Sequence, residues 1–269
     1  MGYDVGSVPL GHHPVTTLRR ASTICVVRDG PRYEVLMVQR PETSRFMPSV
    51  WVFPGGAVDD TDSDAPDAFG GADDWTVAAL RELMEETGLW LTTNGTREFG
   101  PVDDAFSALD EAGVDLQPEA LAYFSNWITP EPFPVRFDTR FFLTVVGPGF
   151  DGAVDGDELV DITWIEPMEA LTRASAGTFD IAFPTQKTLE LLATEETAAA
   201  MGERLRGIDI VAPVQPRIEV TDETARIVLP GDPAFDALGP AQSDPDILVR
   251  LTRVVKRGGR IPAEFKGPR

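Results

Sequence analysis

The sequence predicts an α+β fold, a mixed sheet flanked by helices with a C-terminal extension, and three observations carry that prediction. β-Branched and alternating runs separated by turn residues fill the opening segment. A single strongly patterned helix follows, and later strands run directly into further helices. In chain order, Ser22–Val27 and Glu34–Gln39 flank Arg28-Asp-Gly-Pro-Arg32 and read as a hairpin. Val50–Phe53 is a third short strand, ended by Pro54-Gly55-Gly56. A helix is expected from about Asp74 to Thr87, with Asp73 or Asp74 as cap and Gly88 as stop. Residues 104–113 and 117–121 read as weak helix or irregular structure. Leu121–Ile128 and Arg140–Val146 are strands, separated by the proline-rich turn 129–134. Leu159–Ile165 is another strand, entering a helix at Met168–Ala174, with two more helices near Thr185–Ala193 and Glu196–Arg206. Beyond Gly207, prolines and short strands indicate an extension, so the division expected is 17–207 and 208–269.

Bulk properties exclude several classes. No stretch approaches the roughly 20 apolar residues of a membrane span, and residues 1–14 lack the apolar core of a secretory signal. The single cysteine, Cys25, rules out an internal disulfide and fits a reducing cytoplasm. It lies in an apolar strand pattern and reads as core. His12 and His13 are the only histidines and sit in an N-terminal arm, which gives little support to a histidine-based zinc site or a Ser-His-Asp triad. A net charge of −21 argues against a nucleic-acid backbone binder. The charge is uneven. Residues 249–269 hold seven Arg or Lys against one Glu, a basic tail that reads as docked on the acidic body, disordered, or a phosphate-binding arm.

The densest chemistry lies in Arg81-Glu-Leu-Met-Glu-Glu-Thr-Gly-Leu89, preceded by Phe53-Pro-Gly-Gly56. Glu82, Glu85 and Glu86 fall at i, i+3 and i+4, on one face of a helix. Like charges so placed repel unless something positive sits among them. A divalent cation with hard oxygen ligands is the natural candidate; a solvated acidic face is the alternative. The run fits the second half of the pattern G-x5-E-x7-R-E-U-x-E-E-x-G-U, where U is aliphatic. The first half is interrupted, with eleven extra residues between Gly56 and Arg81. Counting forward from Gly56 puts the first acidic position at Asp62; counting back from Arg81 puts it at Asp73. Neither is chosen on counting alone. The insert, about residues 59–74, carries seven aspartates with Pro66 and Gly70-Gly71, and reads as a flexible solvated loop rather than an extra metal site.

On these residues the chain resembles the Nudix hydrolase superfamily, in particular its split-box branch of peroxisomal coenzyme A diphosphatases and their bacterial relatives. Arg45–Asp59, Trp127–Glu131 and Arg136–Phe142 extend the resemblance. Leu36-Met-Val-Gln-Arg40, Arg45 and Phe53–Gly56 keep the spacing of the coenzyme A stretch, with Val38, Pro41 and Ser49 departing from its threonine, small residue and glycine. The resemblance implies an α/β/α sandwich and a catalytic set of Arg81, Glu82, Glu85 and Glu86. It implies two or three Mg²⁺ or Mn²⁺ ions on the three glutamates, with the Gly55 carbonyl and Glu158 as further ligands. Glu82 is one candidate general base, and Arg81 is expected to orient the glutamates. Arg40, Arg45, Arg136 and Arg140 are candidate phosphate contacts. The substrate implied is coenzyme A or acyl-CoA, with ADP-ribose, NADH or a nucleotide sugar as alternatives. A non-catalytic ligand-sensing module is the remaining reading, and homodimers occur among relatives.

Overall fold

The structure is a computed structural model that describes residues 17–30, 32–44, 47–130, 133, 135–154, 156–220 and 225–238. Packing divides the chain into two units. The larger comprises residues 20–125 and 139–211; the smaller takes in 126–138 and the described residues of 17–19 and 212–238.

The larger unit is built on a seven-stranded mixed sheet. Strand β1 (Leu18–Asp29) pairs antiparallel with β2 (Tyr33–Gln39), Val27 facing Val35, so the expected hairpin forms around Gly30. Both strands read as continuous apolar runs because both are covered on two faces; Ile24–Val27 and Val35–Val38 are fully buried. β3 (Trp51–Val52) pairs with β2, and β4 (Gly55–Ala57) folds back onto β1. The path continues from β1 to β8 (Arg136–Val146) and β7 (Ala122–Ile128), while β9 (Asp161–Ile165) joins β2 with Leu36 opposite Trp164. β5 (Leu89–Thr92) and β6 (Gly95–Glu98) form a separate hairpin that the sequence reading did not anticipate, although Asn94-Gly95 supplies its turn chemistry.

Helix α1 (Asp74–Thr87) occupies the expected span. The Asp73 side chain accepts the Thr76 N–H as cap, and Gly88, at φ 68°, donates to the Met84 carbonyl as stop. A Cβ at Gly88 would lie 2.2 Å from the Gly100 carbonyl carbon, so glycine is needed for contact as well as conformation. Val77, Leu80, Leu83 and Met84 form its buried face, in one cluster with Ile24, Leu36, Trp90 and Leu109. α2 (Ala105–Ala112) is a well-capped helix rather than an irregular stretch, because Asp104 accepts from both Phe106 and Ser107 N–H. α3 (Pro167–Ser175), α4 (Phe183–Leu192) and α5 (Ala198–Arg206) follow β9. The α5 N-terminus is held by Asp29, whose carboxylate accepts from Ala198 at 2.6 Å. Gly202 lets α5 approach β8, where an added Cβ would meet Val145 at 2.6 Å.

The insert departs from the expected flexible loop. It is built of two 3₁₀ turns, Asp60–Asp64 and Asp67–Phe69. Phe69 is 1% exposed and belongs to the α1 cluster, and Asp62 is equally buried. One aromatic anchor and one buried carboxylate outweigh the hydrophilic local composition.

In the smaller unit, β10 (Arg217–Val220) and β11 (Ala225–Val228) form an antiparallel hairpin, followed by the short α6 (Pro233–Ala237) capped by Asp232. Val214 bridges to Trp127, its N–H donating to the Asn126 carbonyl at 2.8 Å. By packing, segment 126–138 groups with the described C-terminal residues. The basic tail 249–269 and His12–His13 lie outside the described residues.

Candidate active site

Glu82, Glu85 and Glu86 project from the face of α1 opposite its apolar stripe, next to the Pro54-Gly55-Gly56 loop. The loop is shaped for close approach. Gly55 has φ 146°, and a Cβ there would lie 2.2 Å from the Ser22 carbonyl oxygen. A Cβ at Gly56 would stand 2.3 Å from Glu82 Oε1, so any side chain there would have to displace that carboxylate. The Gly55 N–H donates to Glu86 Oε2 at 2.7 Å, tying the loop to the helix.

Arg81 is the hub of the cluster. Its Nε and Nη2 grip the two Asp62 oxygens at 2.9 and 3.2 Å, and Nη2 also donates to the Ala57 carbonyl at 3.0 Å. Nη1 bonds both Glu82 Oε1 and Glu85 Oε2 at 2.9 Å. A planar fork with five donors is what such an arrangement needs, and lysine could not reproduce it. The two candidates for the first acidic position are thereby separated. Asp62 pairs with Arg81, whereas Asp73 caps α1 and pairs with Arg140 at 2.9 Å. Counting could not distinguish them; only the buried bidentate contact does.

One guanidinium does not neutralise this many carboxylates. Burial, reinforced by Glu85 and Asp59 and opposed by Arg81, pushes Glu82 up to about 7. Glu86 is enclosed by protein yet keeps part of its surface open. Burial and the Glu82 charge hold it well above the ordinary carboxylate value, against the Gly55 N–H and the Arg40 charge. Glu85 is also raised by burial, less strongly opposed by the Ala105 N–H and Arg81.

The remaining expected residues divide. Glu158 is near enough for its charge to raise Glu86, and Arg40 near enough to lower it. The Arg40 guanidinium bonds Ser44 Oγ at 3.2 and 3.0 Å, within a loop closed by Arg40 N–H to the Val50 carbonyl. Arg45 lies outside the described residues. Arg136 belongs to the smaller unit and donates to the Thr129 carbonyl at 3.0 Å. Arg140 is not gathered with the glutamates. It pairs with Asp73, nine residues or about 13 Å of helix before Glu82, and its guanidinium lies 3.8 Å over the Trp75 ring and 5.2 Å from the centre of Tyr123. Those partners are remote in sequence, which is why an arginine on a strand read as a phosphate contact.

Among the described residues, no group of three or more His, Cys, Asp or Glu is placed to hold a metal ion by itself. Magnesium rarely requires one, since it keeps several waters and takes one or two carboxylates together with substrate phosphates. Glu82 and Glu86 stand one turn apart, each with one oxygen on a protein donor and a raised proton affinity. That donor set fits a hard divalent cation, which would supply the positive charge it lacks.

Known proteins share this arrangement of chain. The family described as NUDIX domain matches residues 18–183. The Caenorhabditis elegans protein named nudix hydrolase 7 is 34% identical over 190 residues, 66% of this chain and 61% of its own length. The match thus spans under two thirds of that relative. A NUDIX hydrolase from Alicyclobacillus acidocaldarius, known from its crystal structure, superposes with a TM-score of 0.60 at 32% identity, covering 71% of this chain and 97% of that one.

Proposed function

Since the chain belongs to the Nudix hydrolase family, we propose that it hydrolyses the diphosphate bond of a nucleoside diphosphate linked to another moiety, with coenzyme A or an acyl-CoA as first substrate. The observation that carries this reading is the pair Glu82 and Glu86, partly open, one turn apart and short of positive charge beside the Gly55-Gly56 loop. Diphosphate cleavage needs charge stabilisation on the phosphoryl oxygens and a positioned water. Bound Mg²⁺ or Mn²⁺ supplies the first by offsetting phosphate charge.

The chain's own groups do the rest. Glu82 and Glu86 would hold the cation, with the Gly55 carbonyl and Glu158 as further candidate ligands. Arg81 fixes the direction of Glu82 through one oxygen, leaving the other without a protein donor among the described residues. Glu82 is then placed to take the proton of the attacking water. Water adds to one phosphorus as the bridging P–O bond breaks. Coenzyme A would yield 4′-phosphopantetheine and adenosine 3′,5′-bisphosphate. Arg40 is the phosphate contact with most support, because its charge acts on Glu86.

The coenzyme A assignment has support from Ser49. It occupies the position at which the related stretch has glycine, and it keeps a left-handed backbone, φ 61°, that glycine would favour. ADP-ribose, NADH and a nucleotide sugar remain the alternative substrates.

The test is phosphorus NMR product analysis with coenzyme A, ADP-ribose and NADH in parallel, in Mg²⁺ or Mn²⁺, with Glu86→Gln as control. Cleavage of coenzyme A that is fastest of the three and lost in the variant is the expected result. Faster cleavage of another compound would retain the hydrolase and discard coenzyme A. No cleavage of any would favour the ligand-sensing module.

A further inference from the structure

Ser49 stands in the left-handed region, φ 61°, and Met47, two residues before it, at φ 50°. Glycine, asparagine and aspartate take this conformation readily; other residues keep it only where their surroundings hold them. Both lie in the loop that begins at Arg40. The Ser49 carbonyl accepts from Gln39 Nε2 at 3.1 Å, and the Ser49 N–H donates to the Pro41 carbonyl at 3.4 Å. The Pro41 carbonyl also accepts the Ser44 N–H at 3.1 Å, and Ser44 Oγ in turn accepts from the Arg40 guanidinium. A continuous run of hydrogen bonds thus leads from the Gln39 carboxamide through Ser49, Pro41 and Ser44 to Arg40, whose charge acts on Glu86.

Gln39 offers this hold from a fixed base. It lies in β2 between Trp51 of β3 and Asp161 of β9, and its carbonyl accepts the Val160 N–H at 2.9 Å. Its backbone is tied on both sides and cannot follow the loop, so the side chain reaching out of the strand sets where Ser49 stands.

We propose that Gln39 is a positioning residue for phosphate binding. Its carboxamide keeps Ser49 left-handed, and the run through Pro41 and Ser44 keeps the Arg40 guanidinium turned to the substrate diphosphate. Without that donor, Ser49 relaxes to an ordinary backbone conformation, its contact with Pro41 is lost and Arg40 is freed. A glycine at position 49 would hold the same shape unaided, since glycine takes positive φ at no steric cost. This rests on the diphosphatase reading above, with Arg40 as phosphate contact.

Gln39→Met tests it, removing the donor while keeping the length of the side chain. kcat and KM are measured at saturating Mg²⁺ on whichever of coenzyme A, ADP-ribose and NADH the parent cleaves fastest. The replacement is made in the parent, in Ser49→Gly and in Arg40→Gln. In the parent, KM should rise about fivefold or more with kcat within about twofold, as loss of a contact made equally to substrate and transition state predicts. In Ser49→Gly it should change KM by less than about twofold, because the conformation no longer needs a brace. In Arg40→Gln it should also change KM by less than about twofold, because the group it positions is gone. A merely structural loss would repeat in all three. A KM rise as large in Ser49→Gly as in the parent would overturn the brace. One as large in Arg40→Gln would show that Gln39 acts on another group and overturn the link to Arg40. An unchanged KM in the parent would overturn both. Arg40→Gln with the parent's own KM would remove Arg40 as a phosphate contact, and a parent that cleaves none of the three compounds would remove the diphosphatase reading; either takes the proposal with it.

Discussion

The two ends of α1 handle charge in opposite ways. At the start, acid and base are matched one to one. Asp73 pairs with Arg140 and Asp74 with Arg20, and both guanidinium groups lie over Trp75, at 3.8 and 4.8 Å. Burial pushes the Asp73 carboxyl up, but the Thr76 N–H and Arg140 outweigh it and hold it below the ordinary value. Two turns later, Arg81 alone faces Asp62, Glu82 and Glu85 at close range, with Asp59 at 3.8 Å, and the glutamates are raised. One helix thus carries a satisfied anchor and an unsatisfied site. Charge that the fold leaves unbalanced marks where a ligand belongs; charge it balances marks where the fold is held.

The sharpest way to break this contrast is to remove the hub. Arg81→Met leaves the Asp62 carboxylate buried without its partner, and such losses cost about 3–5 kcal/mol. Urea denaturation should show it, whereas Arg140→Gln, at a half-open pair, should cost no more than about 1 kcal/mol. A smaller effect comes from metal. At a free Mg²⁺ concentration about 100 times its dissociation constant, linkage adds about 2.7 kcal/mol. Glu86→Gln should abolish that gain in a thermal-shift titration; Asp73→Ala should retain it while losing about 1 kcal/mol of cap stability.

The two ends should also titrate with opposite sign. Glu82 has an ordinary value of 4.5 and stands at about 7 in the fold, so between those values the native state holds more protons than the unfolded chain. Without metal, stability should fall as pH rises from about 4.5 to 7, and saturating Mg²⁺ should flatten or reverse the slope. Asp73 is depressed below 3.8, so its contribution is complete above that value and is lost only as pH falls further. Urea midpoints across pH 3–8 check both. A flat metal-free profile above pH 4.5 would contradict the electrostatic contrast.

α1 was legible in the sequence because its signals are local: Asp73, the 3.6-residue apolar stripe and Gly88 lie within sixteen residues. The first hairpin was legible for the same reason. What failed depended on distant partners. Asp62 and Asp73 satisfy the same count, and only the packing of Arg81 tells them apart. The insert reads as solvated because aspartate dominates it, but one phenylalanine reaching the core decides its order. Glu85 and Glu86 are chemically identical neighbours in sequence, and the Ala105 N–H that distinguishes them is twenty residues away.

The position of the extra segment has a further consequence. Residues 63–73 number eleven, the size of the interruption, and they lie after the carboxylate that grips Arg81 and before the first residue of α1. Excising them in the mind restores the uninterrupted pattern, with seven residues between Asp62 and Arg81 in the joined order. The detour begins and ends where the reacting groups do not notice it. Such a junction is a natural place for a chain to acquire or shed residues over generations, and for an engineer to graft a reporter peptide, at the cost of whatever stability Phe69 and the Asp73 cap contribute and with the chemistry on α1 left to serve as the internal control.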